Sequence, residues 1–364
     1  MKGVIRASTS LLCALLVPLG LVVLSGPAGA VTQYAITDLG TLGGNSSFAN
    51  GINASGQVVG YARITSGDFH AFLWESGAIH NLGTLGGTRS WSFGINASGQ
   101  VVGQAATASG DLHAFLYENG LMKDLGTLGG STSYAYGVNA SGQVVGRACR
   151  ASEYSHAFLW EDGVMHDLGT LGGVESYAYD INASGQVVGH AYTAGGVLRA
   201  FLWKDGVMQN LGTLGGYASY AWGINTSEQV VGQAYATSGY PHAFLWRGGV
   251  MQDLGTLGGT DSYAYGINTW GQVVGGACRS GGSWHVFLWE GGAMYDLNNF
   301  VPSGSGWILE RAYDINDLGQ IVGYGYLDGQ ERGFLLTPIP EPSAVGLVGL
   351  ALVVAMRRLR RGRE

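Results

Sequence analysis

A seven-residue phrase returns along this chain at a fixed step. Asp38-Leu39-Gly40-Thr41-Leu42-Gly43-Gly44 recurs in nearly the same words at 81–87, 124–130, 167–173, 210–216 and 253–259, each 43 residues after the last. A decayed copy opens at Asp296-Leu297. A period of this size constrains the fold more than any other feature. Each repeat is one small supersecondary unit, too small to bury its apolar face alone, so neighbours must stack. The length of 364 residues would otherwise suggest two or three domains, and the repeat overrides that expectation.

One unit shows what is stacked. After Gly173, residues 177–182 alternate large and small, and Ala183-Ser184-Gly185 is a turn. Residues 186–192 are β-rich, 193–198 a loop, and 199–203 a short strand. Lys204-Asp205-Gly206 is a hairpin turn, with glycine placed for a positive φ, and 207–211 is a fourth strand. Composition agrees. Glycine is abundant (64 residues), charged residues are only 12%, and Val, Tyr, Trp, Phe and Thr sit between Gly and Asn punctuation. Four short strands per repeat predict the blade of a β-propeller.

The phase of the repeats predicts a closed ring of seven. Ile-Asn or Val-Asn begins a turn at residues 52, 95, 138, 181, 224, 267 and 315. The His-Ala-Phe-Leu-Trp strand or its variant begins at 70, 113, 156, 199, 242, 285 and 332. The chain starts with a lone fourth strand at 34–39 and ends with a unit, 311–336, that lacks one. Pairing the two closes the ring and removes both exposed edges. An open β-solenoid is the alternative architecture, but it gives no reason for that offset. The first strand of each unit is expected innermost. Its aromatics (Tyr134 and Tyr136, Tyr220 and Trp222, Tyr263 and Tyr265) would pack against the Ala and Gly of the next blade. The other reading of those aromatics is a sugar-stacking ring.

The two ends read as addresses. Lys2 and Arg6, an apolar run at 11–24, and Ala28-Gly29-Ala30 make residues 1–30 a secretory signal peptide, with cleavage expected after Ala30. At the other end, residues 338–364 carry Pro340-Glu341-Pro342, an apolar run at 343–356 and an Arg cluster at 357–363. The run is short for a bilayer span, which takes roughly 20 residues. Without the two ends, 11 basic and 23 acidic residues remain, near −12. An acidic exported region excludes the phosphate backbone as an obvious partner, so no nucleic acid is expected. Cys149 and Cys278 occupy equivalent positions three repeats apart, which predicts no disulfide between them.

Two resemblances follow from these residues. His-Ala-Phe-Leu-Trp, Asp-Leu-Gly-Thr-Leu-Gly-Gly and Ile-Asn-x-x-Gly-Gln-Val-Val-Gly together resemble the HAF repeat of extracellular bacterial proteins, over residues 34–336. Arg199, Tyr117 and the last unit depart from the pattern. The resemblance implies an exported repeat protein and no particular reaction. The C-terminal tail resembles the PEP-CTERM sorting signal of Gram-negative bacteria. That implies signal peptidase and an exosortase-type protease as processing partners, a transient membrane anchor, and an extracellular or cell-surface address within a biofilm.

The chain shows no nucleophile elbow, Walker loop, Cys-x-x-Cys or metal-binding His pair, so neither a metal nor another cofactor is expected. The recurrent His (70, 113, 156, 242, 285) falls once per blade, and metal ligands must converge on one ion. A structural bond to Ser, Thr or Asp of the same blade is expected instead. The Asn-Ala-Ser sequons read as turns. Residues that break the repeat are the candidate ligand contacts. The second-to-third loops carry Asp68, Phe69, Asp111, Glu153, Tyr154, Tyr240 and Trp284. The fourth-to-first loops carry Arg89, Glu175, Tyr217 and Asp261. Both sets are expected on one face. Exposed aromatics beside carboxylates suit a glycan or a protein loop. The expected function is a non-enzymatic binding or structural propeller for extracellular polysaccharide or surface proteins, with no catalytic residues assigned. The alternative is an exported glycan hydrolase or lyase using acids such as Asp68, Asp111, Glu153 or Glu175. Two carboxylates meeting in a central pocket would favour the enzyme, and dispersal around a rim would count against it.

Overall fold

The computed structural model describes residues 33–152 and 154–340. The signal peptide with Ala30, the tail from Glu341 onward (Pro342 included) and Glu153 lie outside the described residues. Among the described residues, no helix is long and apolar enough to cross a membrane.

The described chain is all-β: seven four-stranded antiparallel sheets form a seven-bladed β-propeller. Blade 1 comprises Gly43–Ile52, Val58–Ile64, Phe69–Glu75 and Ala78–Asn81. Blades 2 to 6 repeat this order, with first strands at Gly86–Ile95, Gly129–Val138, Gly172–Ile181, Gly215–Ile224 and Gly258–Ile267. Blade 7 takes Trp307–Ile315, Ile321–Leu327 and Gln330–Pro338 from the end of the chain, and Tyr34–Asp38 from its start. Tyr34 pairs with Pro338 and Asp38 with Phe334, so the phase offset closes the ring as expected.

First strands are longer than the sequence suggests. They begin at the Gly-Gly pair, not after it, because a parallel bridge ties the preceding leucine to the end of the second strand, as in Leu42 to Ile64. Arg89, Glu175, Tyr217 and Asp261 therefore lie in first strands, and not in the loops to which sequence assigns them. A Cβ on Gly44 would sit 2.6 Å from the Arg63 carbonyl oxygen, so this crossing admits only glycine.

Each apolar core lies between two blades. Val102, Ala114 and Leu116 of blade 2, for example, pack on Ala135, Val144 and Phe158 of blade 3. The phenylalanine of the third strand is fully buried in all seven blades, from Phe72 to Phe334. The glycine of the second strand has a different task. A bulge in the first strand brings the Tyr177 carbonyl oxygen within 1.8 Å of where a Cβ on Gly189 would stand, and the other six blades are the same to within about 0.2 Å.

Polar groups stitch blade to blade. The Asn53 side chain donates to the Asn96 carbonyl (3.1 Å), Asn96 to Asn139 (2.9 Å), and so on through Asn182, Asn225, Asn268 and Asn316. Asn316 donates back to the Asn53 carbonyl at 3.0 Å, so the circuit closes. Each asparagine also caps its own turn, its Oδ1 accepting two backbone N–H groups. This is the turn role expected of the sequons. A serine in each first strand from Ser47 to Ser262 accepts a backbone N–H from the third strand of the preceding blade, as in Ala71 to Ser90 at 2.9 Å. The recurrent histidines bond within their blades, His113 to Asp124 and His285 to Asp296 at 2.8 and 2.7 Å, again as expected. Cys149 and Cys278 are both free.

Gly189→Ala should cost at least the ~1–3 kcal/mol typical of overpacking, because backbone must move to admit the methyl group. Gly206→Ala, where nothing lies within 4 Å, should cost less, limited to the strain of its positive φ of 79°. Urea melts of the two variants compare these values, and equal losses would contradict the packing account.

Candidate functional site

The residues singled out by sequence are spread around the face that carries the second-to-third turns. Apart from Glu153, which lies outside the described residues, they fall on blades 1 to 6 and none on blade 7. Asp68, Asp111, Glu175 and Asp261 each contact a nearby hydroxyl, of Ser66, Ser109, Tyr177 and Thr260. Blades 1, 2, 4 and 6 hold these four acids, so they do not converge. Tyr154, Tyr217 and Tyr240 are exposed, at 50%, 61% and 49%. Phe69 and Trp284 are not free platforms. Phe69 packs on Phe48 and Tyr61 beneath the Arg63 guanidinium at 4.3 Å, and Trp284 packs on Tyr263 beneath Arg311 at 4.4 Å. Arg89 lies over its blade-mate Trp91 at 5.7 Å.

A concave site does form on this face, where the ring closes. In blade 7 the second and third strands are joined by the two-residue turn Asp328-Gly329, whereas blade 1 uses four residues, 65–68. The shorter turn leaves a cleft of about 660 Å³ between blades 7 and 1. Asn45, Ser46 and Arg63 line one side, and Tyr326, Gln330 and Glu331 the other. Arg332 spans the seam, donating to the Asn45 carbonyl at 2.7 Å and to Gln330 Oε1 at 2.7 Å. Ser46 is 4% exposed, and its Oγ has no hydrogen-bond partner among the described residues. Burial, then the nearby Glu331, pushes the Tyr61 hydroxyl up to about 12. The cleft thus offers one cation, one carboxylate, two amides and neutral hydroxyls. Of these elements the sequence pattern points only to Phe69, under Arg63. The shortened turn shows in the repeat spacing, with two residues where the other blades have four.

A second cavity lies on the ring axis, about 160 Å³ in volume. Six first-strand aromatics, from Phe93 to Tyr313, line it together with Asn50. The inner aromatics pack against their neighbours in the next blade, as expected, and six of them also line this cavity. At the next position five blades have glycine, and two have Asp180 and Asp314. Each carboxylate bridges two blades. Asp180 accepts the backbone N–H of Ile181 in its own blade (2.8 Å) and of Ile224 in the next (2.9 Å). Asp314 does the same with Ile315 and Ile52, so it too crosses the closing seam. Burial raises Asp180 to about 7 against the opposing pull of these N–H groups, and the charge of Asp314 adds to the rise. Burial likewise raises Asp314 to about 6. Burial, then the Arg147 charge, lowers His190 to about 3, so this imidazole is neutral.

No group of three His, Cys, Asp or Glu residues among those described is placed to hold a metal ion. The ring, its blade topology and its strand-exchanged closure define the chain as a seven-bladed β-propeller. No protein-family model matches it, and no curated protein matches it in sequence. Solved structures resemble it in fold. A puromycin-hydrolyzing peptidase from Mycobacterium tuberculosis aligns with a TM-score of 0.52 at 12% identity, over 78% of this chain and 49% of its own. TolB from Acinetobacter baumannii aligns at 0.47 and 10% identity, over 78% of this chain and 64% of its own. A fucose-specific lectin from Aleuria aurantia aligns at 0.38 and 13% identity, over 75% of this chain and all of its own. The chain thus spans about half the length of the peptidase and just under two thirds of TolB.

The raised carboxylates have a consequence for stability. Between about pH 4 and 7 the unfolded chain releases protons that folded Asp180 and Asp314 retain, so they make stability fall as pH rises through that window. His190 acts oppositely, stabilising more as pH rises from about 3 to its ordinary value. The double variant Asp180→Gly/Asp314→Gly should therefore gain stability relative to the parent as pH rises, by up to about 1.4 kcal/mol per pH unit for each carboxylate. Parallel urea melts across the window measure the difference, and a constant difference would contradict it.

Proposed function

We propose that this chain is an exported, non-enzymatic propeller that binds extracellular polysaccharide in the cleft between blades 7 and 1. The cleft carries the reading. It is concave, and its wall is mostly neutral hydrogen-bonding groups, the Asn45 and Gln330 amides and the Tyr326 hydroxyl among them. Sugar hydroxyls donate and accept, which suits amides and hydroxyls flanked by the Arg63 and Glu331 side chains. The dispersal of Asp68, Asp111 and Glu175 over three blades supports binding over hydrolysis. The axial carboxylates do not restore the enzyme reading, because they bridge blades through backbone N–H groups and neither lines the cleft proposed for the saccharide.

The address rests on the sequence of the two ends. Signal peptidase removes residues 1–30, and an exosortase-type protease acts near Pro340-Glu341-Pro342. The propeller is then released or held at the cell surface. An alternative partner for the same face is a surface protein docking on Tyr217 and Tyr240.

A glycan array with the processed chain tests the reading. Arg63→Ala and Glu331→Gln should each weaken binding about tenfold, the loss of a charge-assisted hydrogen bond of about 1.5 kcal/mol. Tyr240→Ala, on another blade, should bind as the parent does. Absence of binding to any glycan, or indifference to both cleft variants, would overturn it.

A further inference from the structure

The axial cavity is chemically unlike the seam cleft and calls for a different ligand. Phe93, Tyr136, Tyr179, Trp222, Tyr265 and Tyr313 surround it, one from each of blades 2 to 7. Where neighbouring rings meet, their centroids are 4.9–5.2 Å apart and their planes tilt by 32–56°. Asp180 and Asp314 line the same cavity, and no Lys, Arg or His does. At their position Gly51, Gly94, Gly137, Gly223 and Gly266 lie close to the next blade's backbone, 2.6–3.0 Å from a notional Cβ to its carbonyl oxygen. The two blades that depart from glycine thus place carboxylates where the fold has little room. The charged groups outside the cavity are accounted for. Arg147 stacks on Tyr134 and Tyr177, at 4.2 and 4.9 Å. Arg311 donates to the Tyr265 hydroxyl at 2.9 Å and lies over Trp284. His190 packs on Tyr177 and Tyr179 from the second strand of blade 4.

We propose that the axial cavity is a binding site for a small organic ammonium ion. Aromatic π-systems attract a desolvated cation, and cages of them are used to hold alkylated ammonium groups. Six aromatics supply that environment here, and the two carboxylates supply the charge. The volume of about 160 Å³ is several times the roughly 30 Å³ share of a water molecule, room for an alkylated ammonium head and not only for a bare ion. Each carboxylate oxygen that accepts one backbone N–H keeps a second lone pair for the ligand. Ligand binding requires the ionised acids, so it releases protons and weakens in acid. His190, lowered to about 3, stays neutral throughout and neither repels nor supplies charge. This site does not depend on the saccharide reading of the seam cleft.

Tetramethylammonium chloride is the probe, titrated into the processed chain against sodium chloride at equal ionic strength. Calorimetry and Trp222 fluorescence should both report saturable binding at about pH 8, weakened at least tenfold at about pH 5.5, where the acids are protonated. Asp180→Gly/Asp314→Gly restores the glycine of the other five blades and should abolish the heat while leaving the thermal transition cooperative. Tyr313→Leu should weaken binding without touching either acid, which covers the case in which the double variant fails to fold. Binding that sodium reproduces, that ignores pH, or that survives both variants would overturn the proposal, as would no saturable response at all. Glycan binding at the seam should be unchanged in the single variant Asp180→Gly, whose carboxylate bridges blades 4 and 5, so failure here and failure there are distinguishable.

Discussion

Seven asparagines from Asn53 to Asn316 hold this ring in register. Each side chain caps its own turn and donates to the equivalent carbonyl in the next blade, and the last donates to the first. The bonds are buried, and all seven asparagines are under 9% exposed. Losing one removes the inter-blade donor from a carbonyl that keeps only its own turn's N–H, and unpairs the two N–H groups that its Oδ1 accepted. The circuit explains why the sequence tolerates almost no variation at the Asn-x-x-Gly-Gln turns while the opposite face drifts. The asparagines and glutamines of one face are an internal bond network, and on that face only the remaining turn residues differ, as at Glu228, Trp270 and Leu318.

Closure concentrates difference at one seam. Every junction carries the Asp-Leu-Gly-Thr-Leu-Gly-Gly connector or its decayed relative, the first copy leading from Tyr34–Asp38 of blade 7 into Gly43–Ile52 of blade 1. Blade 7 alone takes its fourth strand from the start of the chain, by pairing Tyr34–Asp38 with the last strand, and Arg332 and Asp314 reach from it into blade 1. There the shortened blade 7 turn leaves a cleft on the face of the second-to-third turns. Repetition makes the scaffold, and the two sites arise where it lapses: at the seam, and at the two axial positions where aspartate replaces glycine.

Much of this was legible in the chain. The 43-residue period, the four strands per repeat, the ring of seven and its offset closure all follow from local patterns that each blade restates. The His–Asp bond was legible because both residues recur together. The sites were harder to read for a physical reason. The seam cleft joins Arg63 to Glu331, which are distant in sequence, and its shape comes from two residues that blade 7 lacks. Asp180 looks like one more polar residue in an alternating strand until it is set against Gly51 and Gly94. The inner aromatics read as packing because alternation reports which side of a strand a residue takes, and not whether that side meets a neighbour or a cavity. The Gly-Gly pairs read as linker because glycine punctuates turns more often than it opens strands.

The central claim is that the ring is closed and that its links are equivalent. Urea unfolding of Asn139→Ala and Asn316→Ala tests it most directly. Both asparagines cap their own turns in the same way, but Asn139 links blades 3 and 4, whereas Asn316 links the last blade to the first. A closed ring predicts equal losses, of about 1–3 kcal/mol each. An open stack would leave Asn316→Ala cheaper by the whole inter-blade bond, and that result would contradict the account.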